Sequence, residues 1–585
     1  MKSALWVAGA AAAAGFLLSA QAPTADPVLQ AMHDELERSR KLMVSNLETP
    51  YFVEYVLDDS DTFDVGATLG GIVTNRRDQF RNLTVRVRVG DYKFDNTDYV
   101  GSGFPFGTRY DLERFPLDND YMVLRRYLWL STDSAYKSAV EAISRKRAAL
   151  RNLSVSEQIN DFAHAEPVHL VRPFHKLVID EKAWTDRIRR LSAIFSQYPE
   201  LRTSSVELDA GEGGYYLVNS EGTEVKVPDR LTYVRARASA QASDGMTVRD
   251  SAMFHAIEAS GLASEDEISK ALKTMATNVV ALSKAPMGED YSGPVLFEGV
   301  AGAQILTEVL GKSLSLPRRP VTDPGRGGAF SGSELEGRIG SRVLPDSFEV
   351  VDDPTQKEWS GKPLFGTYEV DREGVVPKPL RLVEKGLLKG YLLSRQPVRG
   401  FEGSNGRARM PGNYGASASG VSNLLVTSSM TVPVAELKKK LLDMIAARGK
   451  PYGVIVRKMD FPSSASVEEA RRVLNGEQSG SSRPLSLPLL VYRLYPDGHE
   501  ELVRGLRFRG LNTRSFRDVV AAGDDAAAFD FLDNQAPFAL MGGAGYVSNA
   551  TVVAPSLLID DLELHPLEDE LPKLPVVPAP ELSSR

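Results

Sequence analysis

The sequence contains no cysteine among its 585 residues. This absence excludes disulfide bonds, cysteine-ligated zinc, iron–sulfur clusters and thiol nucleophiles together. Histidine is also scarce, with seven residues in the whole chain, and none lies between residues 256 and 498. That long stretch therefore offers no imidazole as a metal ligand or as a general base.

The chain also lacks an excess of positive charge, since its formal net charge is −8. Binding to phosphates needs a basic face, so a nucleic-acid partner is not expected. Hydrophobic residues make up 42% of the chain and charged residues 25%, which is the usual balance of a soluble globular protein. The length is too great for one core and favours at least two domains.

Long apolar runs are absent after the first twenty residues. The run from Ala4 to Leu18 follows Lys2 and ends in small residues, which predicts a secretory signal peptide over residues 1–20. A run of about 15 residues is short for a membrane span, and no cysteine follows it for lipid attachment. We therefore expect a bacterial protein that is periplasmic or secreted, with no membrane span after signal cleavage.

The rest of the chain predicts an α+β fold in two halves. Residues 27–288 combine amphipathic helices with strands of strict polar–apolar alternation, which indicates an N-terminal domain of antiparallel sheet with helices. Residues 291–566 are mainly β with one or two helices, and residues 567–585 form an acidic, proline-rich tail. The individual predictions include a helix over 133–152 capped by Asp133, and strands over 51–57, 67–74, 83–89, 366–370 and 552–564.

The segment from Tyr291 to Leu310 is the most unusual in composition. Its apolar strand residues are followed by a predicted helix that begins at Glu298 and has almost no side-chain bulk in its first turn. Each glycine costs a helix roughly 1 kcal/mol against alanine, so Gly299 and Gly302 need a reason. The reason is either tight packing of the helix on a sheet or close approach of a ligand to the backbone.

Four segments of the second half resemble motifs of the TldD/PmbA family, also called the peptidase U62 family. They occur in family order and cover roughly residues 290–566. The segments are VDREGVVPKPLRLVEKGLLKGYLLSRQPVR (Val370 to Arg399), SNGRARMPG (Ser404 to Gly412), YRLYPDGHEELVRGLRFRG (Tyr492 to Gly510) and APSLLIDDLEL (Ala554 to Leu564).

The resemblance implies a degenerate zinc motif in this chain. Active members of the family are zinc metallopeptidases in which an H-E-x-x-x-H helix and a later cysteine form the site. The two histidines fall on Glu298 and Ala303, the catalytic glutamate on Gly299, and the cysteine on Met541. A catalytic zinc takes three protein ligands, and a thioether suits Cu(I) rather than zinc. The resemblance therefore implies a non-catalytic protein without a metal cofactor.

The same resemblance implies a partner and a ligand. The family works as a pair in which one subunit carries the zinc motif and the other lacks it. We therefore expect this chain to be the partner of a zinc-bearing TldD-like paralogue, or a homodimer, and to bind an extended peptide by strand addition. Arg407 and Asn405 lie in the family's cleft loop and are candidate peptide-binding residues. The alternative for Arg407 is a role in pinning the loop.

Two other functions stay open from the residues alone. One is an active hydrolase that uses a different site, for which His164, His169 and His175 are the candidates because they form the one histidine cluster of the sequence. Their spacing is not that of a known metal motif, and Pro167 and Pro173 interrupt any helix that could align them. The other is a purely structural envelope protein, which predicts neither a paralogue partner nor peptide binding.

Overall fold

The structure, a computed structural model, describes residues 26–42, 47–100, 115–151, 159–322, 330, 332–411, 417–461, 485–534, 547–567 and 574–578. Within these residues the α-helices are α1 (Pro27–Ser39), α2 (Tyr121–Leu150), α3 (Glu181–Ala193), α4 (Glu265–Lys284), α5 (Val300–Ile305) and α6 (Val434–Ala447). A π-helical turn over Leu306–Gly311 continues α5. The predicted signal peptide over residues 1–20 lies outside the described residues.

The strands of the N-terminal half are mostly long. They are β1 (Pro50–Thr68), β2 (Gly71–Val89), β3 (Tyr99–Val100), β4 (His169–Val171), β5 (Leu201–Asn219), β6 (Glu224–Gln241) and β7 (Thr247–Ala256).

The strands of the C-terminal half are shorter and more numerous. They are β8 (Tyr291–Phe297), β9 (Val321–Thr322), β10 (Phe348–Asp352), β11 (Glu358–Trp359), β12 (Lys362–Pro363), β13 (Leu380–Glu384), β14 (Leu387–Leu388), β15 (Ala408–Pro411), β16 (Ser417–Ser419), β17 (Asn423–Ser428), β18 (Thr431–Val432), β19 (Gly453–Met459), β20 (Pro488–Leu494), β21 (Glu500–Val503), β22 (Leu506–Arg509), β23 (Val519–Gly523), β24 (Ala527–Asn534), β25 (Val547–Ala554) and β26 (Leu557–Pro566).

The N-terminal half is one twisted sheet with helices on one face. Its strand order is β2-β1-β5-β6-β4, and β7 pairs with β6. Helices α1 and α2 cover one end of that face around Tyr55, and α3 and α4 cover the other end around Phe63. The opposite face of the sheet turns toward the C-terminal half, where Val370 packs against Tyr215 and Leu217. This second face is important below because it borders a cleft.

The C-terminal half is built on two sheets that share one large core. The first has the order β14-β13-β10-β17-β25-β24, and the second has the order β18-β23-β26-β8-β19-β20-β21, with β22 pairing to β26. The small-residue helix α5 lies in the core between them. Helix α6 covers the other face of the second sheet through Leu437, Leu441 and Ile445.

The predicted α+β class is confirmed, and three local predictions are wrong. Helix α2 begins twelve residues before Asp133, because Asp120 caps it, and Asp133 instead forms an ion pair with Lys137 inside the helix. The alternating run 552–564 breaks at Pro555 into β25 and β26, which belong to different sheets. Residues 366–370 form turns and not a strand.

The predicted strands 51–57 and 83–89 are confirmed as parts of β1 and β2, which form a single two-stranded ribbon. A fourth local prediction is also wrong, because the predicted strand 67–74 contains the turn at Leu69 and Gly70 that joins β1 to β2. The domain boundary between residues 288 and 291 stays a prediction. In the described part of the tail, residues 574–578 run exposed past the β6–β7 turn, where Gln241 donates a hydrogen bond to the carbonyl of Pro575. No helix among the described residues is both long enough and apolar enough to span a membrane.

Candidate functional site

Strand β8 leads directly into the helix at the position of the predicted zinc motif. The chain leaves β8 after Phe297, turns at Glu298 and Gly299, and enters α5 at Val300. Gly299 has φ 62° and ψ −126°, a conformation that residues with side chains rarely adopt. A Cβ atom on Gly299 would meet nothing within 4 Å. The backbone of the turn, and not crowding, therefore requires this glycine.

The second glycine of the helix has a different reason. A Cβ atom on Gly302 would lie 2.4 Å from the carbonyl oxygen of Pro555, in the connection between β25 and β26. Ala301 and Ala303 on either side are fully buried. Tight packing, the simpler of the two explanations from the sequence, accounts for Gly302.

The same connection holds the turn at Gly299. The N–H of Gly299 donates a hydrogen bond to Oγ of Ser556 at 2.7 Å, and the Ser556 hydroxyl donates to Asp525 at 2.6 Å. The backbone N–H of Ser556 also donates to Asp525, at 3.1 Å. Since Ser556 is fully buried, this chain of hydrogen bonds fixes the entrance to α5 from inside the core.

Glu298, the position of the first family histidine, faces two cations. Its Oε2 lies 3.2 Å from Nε of Arg457 and 3.4 Å from Nζ of Lys438. Both cations also reach Glu500, at 2.8 Å and 3.1 Å. Burial lowers the pKa of Arg457, but Glu298 and Glu500 more than offset this and raise it. The four side chains form a half-buried network in which each charge is already matched.

The residues present do not fit a zinc site. The Glu298 carboxylate is engaged by two cations, Gly299 has no side chain, and Ala303 is apolar and fully buried. Met541 lies outside the described residues. Across the ranges that the structure describes, no group of three or more histidine, cysteine, aspartate or glutamate side chains is placed to hold a metal ion.

Arg407 lies inside the protein. Its side chain is fully buried, and its Nε donates to Oδ1 of Asp352 at 2.6 Å. Its terminal nitrogens donate to the carbonyl oxygens of Asp352, Lys378 and Asn405 at 2.6–2.9 Å. Asp352 is also fully buried. This geometry is that of the loop-pinning alternative, since the guanidinium has no exposed edge for a peptide.

Asn405, the other candidate peptide-binding residue, is used in the same way. Its side-chain oxygen accepts from the N–H of Leu393 at 2.9 Å, and its side-chain nitrogen donates to the carbonyl of Tyr391 at 2.7 Å. Both ends of the amide therefore tie the loop to the segment after β14.

The structure does not gather His164, His169 and His175 into one site. His164 stacks on Tyr92 and His169 lies near Glu224, and both imidazoles are largely exposed. His175 borders a separate cavity of about 520 Å³ on the helical face of the sheet. Among the described residues these histidines form no metal-binding group.

Arg409 lies two residues after Arg407, on strand β15, and the structure places it in a different environment. Its Cζ lies 4.2 Å from the ring centroid of Tyr368, and one terminal nitrogen donates to the carbonyl of Asn549 at 2.7 Å. Its Nε is buried without a hydrogen-bond partner. Residues two apart on a regular strand lie on the same face, so nothing in the local sequence indicated that Arg407 and Arg409 would have different environments. A register shift in β15 lies between Ala408 and Met410, at Arg409. Nothing in the sequence indicated that Lys438 and Arg457 would meet Glu298.

Comparison with known proteins agrees with these observations. Residues 289–565 match the family model of the PmbA/TldA metallopeptidase C-terminal domain. A curated relative, a metalloprotease of Archaeoglobus fulgidus, is 37% identical over 78 residues, which are 13% of this chain and 17% of the relative. The matched segment thus spans less than a fifth of that relative's length.

Solved structures share the fold over nearly the whole chain. A protein described as a candidate modulator of a DNA gyrase, from Thermotoga maritima MSB8, has a TM-score of 0.55 at 15% identity, with 92% of this chain and 99% of that chain covered. TldE from Thermococcus kodakarensis has a TM-score of 0.53 at 12% identity, covering 91% and 99%. A third, a candidate modulator of DNA gyrase from Bacteroides thetaiotaomicron, has a TM-score of 0.54 at 12% identity, covering 92% and 98%.

The similarity to the three solved structures is one of fold, and the match of residues 289–565 is one of sequence family. Together with the four motifs in the second half, the match of the family model shows that residues 289–565 belong to the PmbA/TldA metallopeptidase C-terminal domain family.

Proposed function

We propose that this chain is an exported, non-catalytic member of the TldD/PmbA family that binds peptides without hydrolysing them. The observation that carries the proposal is the charge network at Glu298. In the position of a metal ligand, a carboxylate is bound by Arg457 and Lys438. Two fixed cations repel a divalent metal ion from the place where the family's zinc would lie.

The backbone supports the same conclusion. The position of the catalytic glutamate is Gly299, whose conformation is unfavourable for any residue with a side chain. A general base contributes typically 10²–10⁴-fold to a hydrolytic rate, and a metal supplies the nucleophile. Without a general base or a metal ion, we expect the protein to release bound peptides uncleaved.

Metal analysis of the purified full-length protein tests this proposal. We expect zinc well below one equivalent per chain after dialysis against zinc, and no cleavage of unfolded peptides. One equivalent of zinc together with cleavage that a chelator abolishes would show that the chain is an active metallopeptidase.

The partner that fits this function is a zinc-bearing paralogue, with a homodimer as the alternative. We expect affinity purification from a native envelope extract to recover a paralogue with an intact H-E-x-x-x-H motif, identified by mass spectrometry. Recovery of the tagged chain with untagged copies of itself and no paralogue would favour the homodimer. The cell fraction that contains the tagged chain, envelope or cytoplasm, also tests export.

A further inference from the structure

Two contacts join the N-terminal sheet to the C-terminal half, and the space between them, which is open to solvent at Asp229, is called the cleft below. At one contact Arg372 forms two hydrogen bonds of 2.8 Å with the carboxylate of Asp58. At the other, the rings of His255 and Phe365 lie 5.3 Å apart. The strand register places Asp58 in the row of Tyr215, and His255 six residues farther along the sheet, in the row of Asp209. Six strand residues correspond to roughly 20 Å.

The floor of this cleft is formed by two intervening rows. In one row Asp229 lies opposite Gly213, and in the next Leu231 lies opposite Gly211. The strand β1 contributes only Ser60 to the first of these rows and a threonine to the second. The floor is therefore low, because the central strand has no side chains there, and Asp229 is exposed to solvent within it.

The roof of the cleft is the segment that joins the two contacts. Phe365 and Arg372 are the contact residues of the C-terminal half, and Tyr368 lies between them in the chain. Arg409 stacks on Tyr368, with its Cζ 4.2 Å from the ring centroid. Tyr368 is held by a hydrogen bond of 2.7 Å from its hydroxyl to the carbonyl of Gly406. Arg409 is thus held on a fixed aromatic platform, and its charge is close enough to act on Asp229.

Two charges at the cleft, those of Arg409 and Asp229, have no ion-pair partner among the described residues. Arg372 is paired with Asp58, but among the described residues no carboxylate lies at ion-pair distance from Arg409. Its one hydrogen bond is to the carbonyl of Asn549, and its Nε is buried without a partner. Arg409 is half-buried, but its Nε donor is buried without a partner, and such a donor is costly to leave unpaired, so this guanidinium is suited to an anion that comes from outside.

On the floor of the cleft, Asp229 is a negative charge without an ion-pair partner among the described residues. It lies near Arg372, Asp58 and Arg409. Although its side chain reaches solvent, the surrounding protein partly desolvates the Asp229 carboxyl and raises its pKa. The charges of Arg372 and Arg409 lower this pKa, and that of Asp58 raises it. A ligand with an anionic end at the roof and a cationic group at the floor would match both side chains.

We propose that the cleft binds the C-terminal end of a peptide, with the free α-carboxylate on the guanidinium of Arg409 and a basic side chain of the same peptide against Asp229. This proposal rests on the proposed peptide-binding function and names the part of the peptide that is recognised. Guanidinium groups bind carboxylates through paired N–H donors, and such charge-assisted hydrogen bonds are the strong ones.

Fluorescence anisotropy with the full-length protein tests the proposal. The probes are two mixtures of N-terminally labelled hexapeptides that contain a lysine near the end, one with free carboxyl termini and one with amidated termini. We expect the free-acid mixture to bind about ten- to a hundredfold more tightly, as expected for a hydrogen bond to a charged group. Arg409→Gln should remove this preference and leave the affinity for the amidated mixture unchanged. Arg409→Lys should restore part of it.

The matched control is Arg381→Gln, which removes an exposed arginine on β13 that pairs with Glu349 and Glu384, and which should change neither affinity. Equal binding of the two mixtures by the unmodified protein would overturn the carboxylate site while leaving peptide binding intact. Binding of neither mixture would overturn both proposals. Displacement of the free-acid peptides by an equal concentration of a free amino acid would overturn the assignment to a peptide end.

Asp229→Asn tests the second part of the proposal, the contact between Asp229 and a basic side chain of the peptide. This substitution should lower the affinity for free-acid peptides with a lysine near the end. The affinity for peptides with an alanine at the same position should not change. An equal loss for both peptide sets would show that Asp229 does not contact the basic side chain.

Discussion

Arg407 and Arg409 lie two positions apart and serve different purposes. Arg407 is fully buried and paired with Asp352, and every hydrogen bond it makes is to the protein itself. Arg409 has a carbonyl and an aromatic ring as partners but no counter-charge among the described residues. At the scale of single residues, burial and pairing decide which arginine is structural.

Replacing Arg407 should therefore destabilise the protein strongly. Arg407→Ala leaves the buried carboxylate of Asp352 without its counter-charge, and breaking a buried ion pair costs about 3–5 kcal/mol. Denaturant unfolding followed by circular dichroism measures the loss. The exposed control Arg381→Ala should cost about 1 kcal/mol or less. Equal midpoints for the two variants would contradict the structural role of Arg407.

The element on which the proposed function depends is the short helix α5 with the turn before it. In the turn, Gly299 is required by a backbone conformation, while in the helix Gly302 is required by the carbonyl of Pro555. The strand β8 that precedes them is central in its sheet, with β19 on one side and β26 on the other. The helix is therefore fixed at both its start and its side.

Alanine at the two glycines should destabilise the protein for these separate reasons. Gly302→Ala forces a Cβ atom against a backbone carbonyl at 2.4 Å, and overpacking of this kind costs about 1–3 kcal/mol. Gly299→Ala has free space for its Cβ atom but pays backbone strain of about 1–3 kcal/mol. Thermal unfolding of both variants provides the measurement.

A third glycine provides the control for this pair. Gly403 has open space around its Cβ position and no positive φ, so Gly403→Ala should leave the melting temperature nearly unchanged. If Gly302→Ala were as stable as Gly403→Ala, the close approach of Pro555 to α5 would be wrong.

At the scale of the whole molecule, a buried ion network ties the two halves together. Arg318 of the C-terminal half lies 3.4 Å from Asp98 and 3.0 Å from Asp161, both of which belong to the N-terminal half. Lys146 of α2 binds Asp161 at 2.6 Å. Burial raises the pKa of Asp98 to about 7, while Arg318 opposes this shift and Asp161 adds to it.

This shift predicts a specific dependence of stability on pH. A carboxyl group with a pKa of 3.8 in the unfolded chain and about 7 in the folded protein binds its proton more tightly when folded. Its contribution to stability is complete below about pH 4 and is lost as the pH rises toward 7, by up to about 1.4 kcal/mol per pH unit.

Asp98→Asn tests the assignment, because it keeps the shape of the side chain without the proton. Asparagine also tolerates the left-handed backbone at this position, where φ is 59°. We expect the variant to gain stability relative to the unmodified protein as the pH rises from about 4 to about 7, in denaturant unfolding at several pH values. A difference that does not change with pH would show that Asp98 does not titrate in this range.

The sequence by itself determined the α+β class and the resemblance of the second half to the TldD/PmbA family, on which the proposed loss of the zinc ligands depends. These depend on local information: residue identities at Glu298, Gly299 and Ala303, and periodicity within strands and helices. Where the alternation continued through a turn, as at Pro555, the local pattern could not show that two sheets were involved.

The tertiary structure alone decided which charges meet. Lys438 and Arg457 come to Glu298 from α6 and β19, more than a hundred residues away in the chain. Arg407 and Arg409 have the same side chain in the same loop, and only packing buries one against Asp352 and places the other at the cleft. Electrostatic free energy depends on distances in space and on burial, and neither quantity is contained in the order of residues.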